Sequence, residues 1–134
     1  PSQVAVYNDN DLIGTDGTTA QANFDTRPPL YRLIAELSAV RRATPALTGG
    51  VQTVRAFSDK PGLLAISRVD PRTGREVVLA YNTSGKPLSA RIAVGPRSLS
   101  FAPLAGQCSP RADAPGSLSL TLPAFGFAVC AAKP

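Results

Sequence analysis

The sequence predicts a mainly β protein, an antiparallel β-sandwich of seven or eight strands with Greek-key-like order, preceded by one amphipathic α-helix. Two observations support this fold class. Apolar residues recur at helical spacing over residues 28–48. After Gly49 and Gly50, short apolar segments are separated by turn residues about every 8–12 positions. We therefore divide the chain into a segment 1–48 that ends in the helix and a β domain 49–134.

The first 27 residues contain one short apolar run, Val4–Tyr7, followed by a polar loop rich in Asn, Asp, Gly and Thr. A loop of about 20 residues without its own structure is uncommon in a compact domain. We therefore expect either a functional loop or a segment that has lost the structure against which it packs. An EF-hand at Asp9–Ala20 is excluded, because Ile13 and Ala20 stand where oxygen ligands are required. A looser calcium site stays open, but no metal ligand is assigned.

The helix is predicted from apolar residues that repeat every third or fourth position, here called the helix stripe: Leu30, Leu33, Ile34, Leu37 and Val40. Asp25 or Thr26 can cap its first turn, and Pro45 is expected to end it. Such a stripe is normally buried. If its partner is missing, we expect it to associate with another chain.

Seven strands are predicted from apolar segments bounded by Gly, Pro, Asn, Asp and Ser. They cover residues 51–57, 63–69, 75–82, 88–94, 99–104, 118–122 and 125–131. Phe57 and Tyr81 lie within strands and are expected in the core. Glu36 is expected to be a charge on the helix surface, and Glu76 is expected to be a charge at a hairpin end. Asn82-Thr83-Ser84 fits the acceptor sequence for N-glycosylation.

Composition excludes several classes of function. The chain has no histidine, which excludes Ser-His-Asp and Cys-His catalysis and histidine-bearing zinc sites. Its net charge of +5 is scattered, so no nucleic-acid partner is predicted. No apolar run is long enough to span a bilayer, and the first residues of the sequence do not show a signal-peptide pattern. We expect a mature or trimmed piece of a longer protein.

The two cysteines, Cys108 and Cys130, are predicted to form a disulfide. Their separation closes a loop that can stabilise the fold by about 3 kcal/mol, and a small sandwich benefits from such a crosslink. The alternative is a pair of free buried thiols. A disulfide implies an exported protein, periplasmic or extracellular.

Four segments resemble, in the right order, the C-terminal end of the alpha-amylase superfamily of glycoside hydrolases. Residues 29–47 resemble the last barrel helix, whose pattern is matched by Leu37, Arg41, Pro45, Ala46 and Leu47, with Ile34 in place of the first Leu. The other segments resemble strands of the C-terminal β domain: residues 60–68, 78–84 and 122–129.

The resemblance implies that residues 1–48 are the remnant of the last strand, loop and helix of a (β/α)₈ barrel. The catalytic carboxylates of the family lie upstream, so no catalytic residue is assigned to this chain. Asp9 resembles the Asp of a loop at the substrate cleft and is the one substrate-binding candidate. No cofactor is assigned to this chain, although the parent family often binds calcium.

The sequence therefore predicts the C-terminal portion of a secreted alpha-amylase-like glycoside hydrolase acting on alpha-glucans. The chain itself is expected to be an inactive, structural accessory domain. Its expected partner is the rest of the catalytic barrel or a second copy, bound through the helix stripe. The alternative is a starch-binding β-sandwich with alpha-glucan as its ligand, which the lack of Trp and the 6% aromatic content disfavour.

Overall fold

The structure is a computed structural model that describes Arg27 and residues 29–134. These residues form two helices and seven strands, and the chain divides between Ala39 and Val40 into two units. All seven strands belong to the second unit. The predicted boundary between residues 48 and 49 stays a prediction. The Val4–Tyr7 run and the capping residues Asp25 and Thr26 lie outside the described residues.

The helical segment consists of α1 (Pro29–Ala43) and a short α2 (Pro45–Gly49), where the sequence predicts one helix. The break falls at Thr44, which is extended (φ −120°, ψ 100°) because a residue before proline avoids the helical region. Pro45 then starts α2 instead of only ending α1, since a first-turn position needs no N–H donor. Within the described residues, no helix is long and apolar enough to cross a membrane.

The strands confirm the predicted antiparallel sandwich. They are β1 (Val51–Phe57), β2 (Leu63–Val69), β3 (Glu76–Asn82), β4 (Leu88–Ala93), β5 (Phe101–Gly106), β6 (Ser117–Leu122) and β7 (Phe127–Ala132). A five-stranded sheet has the order β1-β2-β3-β7-β5, and β4 pairs with β6 in a second sheet. After β3 each strand lies in the other sheet from the one before it, so β4 and β6 form the second sheet while β5 and β7 return to the first, where β7 pairs with β3.

The core lies between the two sheets. Leu118, Leu120 and Leu122 of β6 alternate toward the five-stranded sheet and are buried. They pack against its inner face, which presents mostly small side chains: Ala65, Val78, Ala80, Ala128, Cys130 and Ala132, with Phe101. Cys130 is bonded to Cys108 in the loop after β5, so a covalent link ties this loop to β7, an inner strand of the five-stranded sheet.

Candidate functional site

The most buried carboxylate among the described residues is Glu76, which is 1% exposed. Its Oε1 accepts a hydrogen bond from Arg55 Nη2 at 2.9 Å. Its Oε2 accepts from the Gly95 N–H and from Ser98 Oγ, both at 2.7 Å. Glu76 lies at the end of the β2–β3 hairpin, as expected, but it is buried there because the loop between β4 and β5 folds over this position.

Arg55 is itself held by its donation to Ser67 Oγ at 2.7 Å. It sits where the pairing of β1 with β2 shifts between Val54 and Ala56, and this irregularity aims the guanidinium into the sandwich. Every oxygen of Glu76 is occupied by a fold-internal donor. The group therefore has a structural role and is not free to act as an acid, a base or a nucleophile.

Asp70 is the second buried carboxylate, at the turn between β2 and β3. The Arg72 N–H donates to its Oδ1 at 3.0 Å and Thr73 Oγ1 donates to its Oδ2 at 2.9 Å. These hydrogen bonds, the backbone bond from Arg72 above all, lower the pKa of Asp70 below its ordinary value despite its burial. Its carboxylate stabilises the turn.

Among the described residues, no three His, Cys, Asp or Glu side chains come together in a group suited to a metal ion. Asp9, the predicted substrate-binding residue, lies outside the described residues. Asn82 of the N-glycosylation sequence is buried, and its amide nitrogen donates to the carbonyls of Lys86 and Pro123. That side chain organises two loops and does not present its amide to solvent.

The helix stripe, by contrast, is uncovered in part. Leu30, Leu33 and Ile34 are exposed, and α1 contains no fully buried residue. Tyr31 beside them is also exposed. Together they form an exposed apolar patch, which is typical of a surface that binds a partner.

A larger apolar surface lies on the outer face of the five-stranded sheet. Side chains alternate across a strand, so residues flanking the buried Ala65 and Ala80 point away from the core. Directly paired residues share a face, and the register aligns two rows of four apolar residues. These outer rows are Phe57–Leu64–Tyr81–Phe127 and Val54–Ile66–Leu79–Val129.

The outer rows become more exposed toward the edge strand β1. Val129 on β7 is buried, whereas Leu64 is 38%, Val54 56% and Phe57 71% exposed. The expected core position of Phe57 is therefore wrong, because the pairing shift in β1 turns it outward. Tyr81 is half-buried, and this burial raises the pKa of its phenol.

One end of the same outer face is covered by α2. Arg68 of β2 donates from Nε to the Ala46 carbonyl at 3.0 Å and from Nη2 to the Gly50 carbonyl at 2.9 Å. Ala46 and Leu47 are buried. Arg68 thus binds two backbone carbonyl groups at the carboxyl end of α2 and anchors the entry of the chain on this face; the Ala46 carbonyl also accepts from the Gly50 N–H.

A sequence signal for the outer rows existed in β3. The run Val77–Tyr81 is apolar at every position and does not alternate, which is typical of a strand covered on both faces. In a sandwich with a solvated outer face, the outward positions would be polar.

Comparison with known proteins gives one curated relative and several solved structures with a similar fold. No family model matches this sequence. The chain is 43% identical over 124 residues to an alpha-amylase of Streptomyces lividans, a match that covers 92% of this chain but 14% of that protein.

Solved structures share the fold. The debranching enzyme of Nostoc punctiforme aligns over 75% of this chain and 21% of its own, with a TM-score of 0.64 and 22% identity. A variant of the trehalulose synthase MutB aligns over 89% of this chain and 20% of its own, with a TM-score of 0.58 and 24% identity. This chain thus spans about a fifth or less of each of these proteins. It belongs to the alpha-amylase superfamily and corresponds to the C-terminal region of its members.

Proposed function

We propose that this chain is the non-catalytic C-terminal portion of a secreted alpha-amylase-type glycoside hydrolase that acts on alpha-glucans. Its β-sandwich serves as a structural accessory domain. The observation that carries the proposal is the strong match to a small part of an alpha-amylase, in a β domain whose buried carboxylates are fully engaged in holding the fold.

The chemistry of glycoside hydrolysis supports a non-catalytic role for this chain. It requires two carboxyl groups on either side of the scissile bond, about 5–9.5 Å apart, one of them able to deliver a proton. Glu76 is bound by Arg55 and by donors from the loop between β4 and β5, and Asp70 is bound by donors from its own turn. The catalytic pair is therefore supplied by the remainder of the enzyme, and we assign no cofactor to this chain.

The disulfide supports export. Cys108 and Cys130 link a loop to a central strand, and such bonds persist in oxidising compartments. We propose a periplasmic or extracellular location. Protein purified from the native compartment under non-reducing conditions should contain no alkylatable thiol, and two alkylated cysteines would contradict this assignment.

Two measurements test the main proposal. The purified chain should not release chromophore from a chromogenic maltooligosaccharide, and turnover that follows the chain through purification would refute its non-catalytic role. A chimera in which this chain replaces the matching region of the Streptomyces lividans alpha-amylase should hydrolyse starch. It should also survive heating longer than the same amylase truncated before that region.

A second candidate function, alpha-glucan binding by the sandwich, is favoured by one observation. Phe125, in the turn before β7, is 75% exposed. Its backbone adopts φ 53°, a conformation that residues other than glycine rarely take. An exposed ring held in a strained turn offers a flat apolar surface on which a sugar ring can stack. In affinity electrophoresis, starch in the gel should retard the parent chain, and Phe125→Ala should remove that retardation. Equal mobility of the parent chain in gels with and without starch would exclude this function.

A further inference from the structure

We propose that one end of the β-sandwich is a binding surface for an anionic polysaccharide. Five exposed cationic side chains define this surface, here called the basic end: Arg72, Arg75, Arg97, Arg111 and Lys133. The inference goes beyond the proposed function and takes from it only the export of the protein. Its failure would leave the accessory role of the sandwich intact.

The antiparallel topology gathers these cations from separate parts of the sequence. The end of β2, the start of β3, the end of β7 and the start of β5 all lie at one end of the five-stranded sheet. Arg72 and Arg75 lie in the turn between β2 and β3. Arg97 lies in the loop before β5, and Lys133 directly follows β7. Charges that are scattered in the sequence therefore become neighbours in the fold.

Backbone pairing sets three of the cations in a row. Arg75 Nε donates to the Ala132 carbonyl at 2.8 Å. The N–H of the next residue, Lys133, donates to the Ser100 carbonyl at 2.8 Å. Ser100 in turn forms a β-bridge with Arg111. Because paired strands lie about 4.8 Å apart, the row crosses the end of the sheet at a spacing that an extended polymer can follow.

The charged groups of the basic end are available to a ligand. Within the described part of the chain, the side chains of Arg97, Arg111 and Lys133 enter no hydrogen bond or ion pair. Arg72 is 80% exposed, although it lies 3.8 Å from Asp70. An arginine side chain can bind a carboxylate or a phosphate group through two parallel hydrogen bonds, so these residues suit an anionic partner.

Carboxylates do not neutralise the basic end. Residues 40–134 contain twelve Lys or Arg but only four Asp or Glu. Asp70 and Glu76 are buried and bound by the donors described above, and Asp113 pairs with Arg91 at 3.7 Å. The resulting positive potential attracts a polymer that carries many negative charges.

The surroundings favour a polysaccharide over other polyanions. Proteins that hold single-stranded nucleic acids offer aromatic rings for base stacking, but the exposed rings of the β domain, Phe57 and Phe125, lie at the opposite end of the sandwich. Membrane-surface helices add a broad apolar face, whereas the loop of Arg97 exposes one leucine, Leu99. An exported protein meets acidic polysaccharides that repeat carboxylate or phosphodiester groups along the chain.

The experiment measures binding of the full 134-residue chain to labelled oligomers by fluorescence anisotropy at low ionic strength. Oligogalacturonate supplies carboxylates, and a glycerol phosphate oligomer of equal charge supplies phosphodiesters. The test variant combines Arg97→Gln with Arg111→Gln. The matched control combines Lys60→Gln with Lys86→Gln, because both lysines are exposed in turns at the opposite end. The two variants lose the same charge and differ only in where they lose it.

Binding at the basic end predicts that the test variant loses about tenfold or more in affinity, and the control less than about threefold. Each lost contact also leaves about one counterion on the polymer, so the logarithm of the affinity of the test variant should depend less steeply on the logarithm of salt concentration. Both variants should keep the urea midpoint of the parent, since they change exposed side chains. The oligomer that binds more tightly identifies the anionic group.

Other results would overturn the proposal. If neither oligomer binds the parent, or if both variants lose affinity equally, the basic end is not a site. Tighter binding of single-stranded DNA or of anionic lipid vesicles, lost in the test variant, would assign the surface to that class of partner instead. A starch-hydrolysing chimera that fails to bind the oligomer would show that the surface is covered in the assembled enzyme. The first two results leave the proposed function intact.

Discussion

Replacing Glu76 with glutamine tests whether the buried ion pair is as important to stability as its geometry indicates. The carboxylate accepts three hydrogen bonds, from Arg55, the Gly95 N–H and Ser98. A glutamine amide keeps the shape but turns one acceptor into a donor. If its NH₂ group faces Gly95, that N–H loses its partner. If it faces Arg55, two donors oppose each other.

The magnitude follows from these contacts. A buried donor left unpaired costs about 1–3 kcal/mol, and hydrogen bonds to charged groups contribute about 1.5–3 kcal/mol each. Arg55 keeps 21% of its side chain exposed, so water relieves part of its lost partner. We expect Glu76→Gln to lower the free energy of unfolding by about 3 kcal/mol, near the lower end for breaking a buried pair.

The assay is urea unfolding followed by circular dichroism, with Asp113→Asn as the control. Asp113 pairs with Arg91 at 3.7 Å on the surface, where the two side chains are 35% and 73% exposed. An exposed pair of this kind contributes little, so the control should lie within about 0.5 kcal/mol of the parent. A Glu76→Gln variant within about 1 kcal/mol of the parent, with an unchanged slope against urea, would refute the structural role of the pair.

Three further predictions concern the disulfide and the two shifted pKa values. Replacing Cys108 and Cys130 together with serine should lower the free energy of unfolding by about 3 kcal/mol, as measured in urea, because the unfolded chain regains the freedom of the closed loop. Because the pKa of Asp70 is lowered in the folded state, its carboxylate contributes stability at pH values above its pKa in the unfolded chain. This contribution is lost as pH falls through the pKa of the folded state. Asp70→Asn should therefore make the free energy of unfolding decline less steeply in acid. The raised pKa of Tyr81 makes stability fall as pH rises above the unfolded pKa of about 10, and Tyr81→Phe should remove that alkaline loss in thermal unfolding.

Sequence was sufficient for features that depend on neighbouring residues. Residues 118–122 were predicted to form a strand, and the structure forms β6 there with Leu118, Leu120 and Leu122 buried. The Gly- and Pro-rich turns predicted seven strands with ends that shift by at most two residues in the structure. The ordered motifs that resemble the alpha-amylase superfamily agreed with the relatives found by comparison. Asp9 and the barrel remnant stay predictions, because they lie outside the described residues or concern an assembly.

Tertiary structure decided what depends on pairing between distant segments. From the sequence, Glu76 is a charge at a hairpin end. Only the folded chain buries it, because the loop around Gly95 covers it and Arg55 pairs with it. Phe57 has the spacing of a core residue, and only the shifted register of β1 against β2 turns it to the outer face. Local pattern specifies which residues form a strand, but the sheet order and register arise from contacts between residues far apart in the chain. The outer rows are a product of that register.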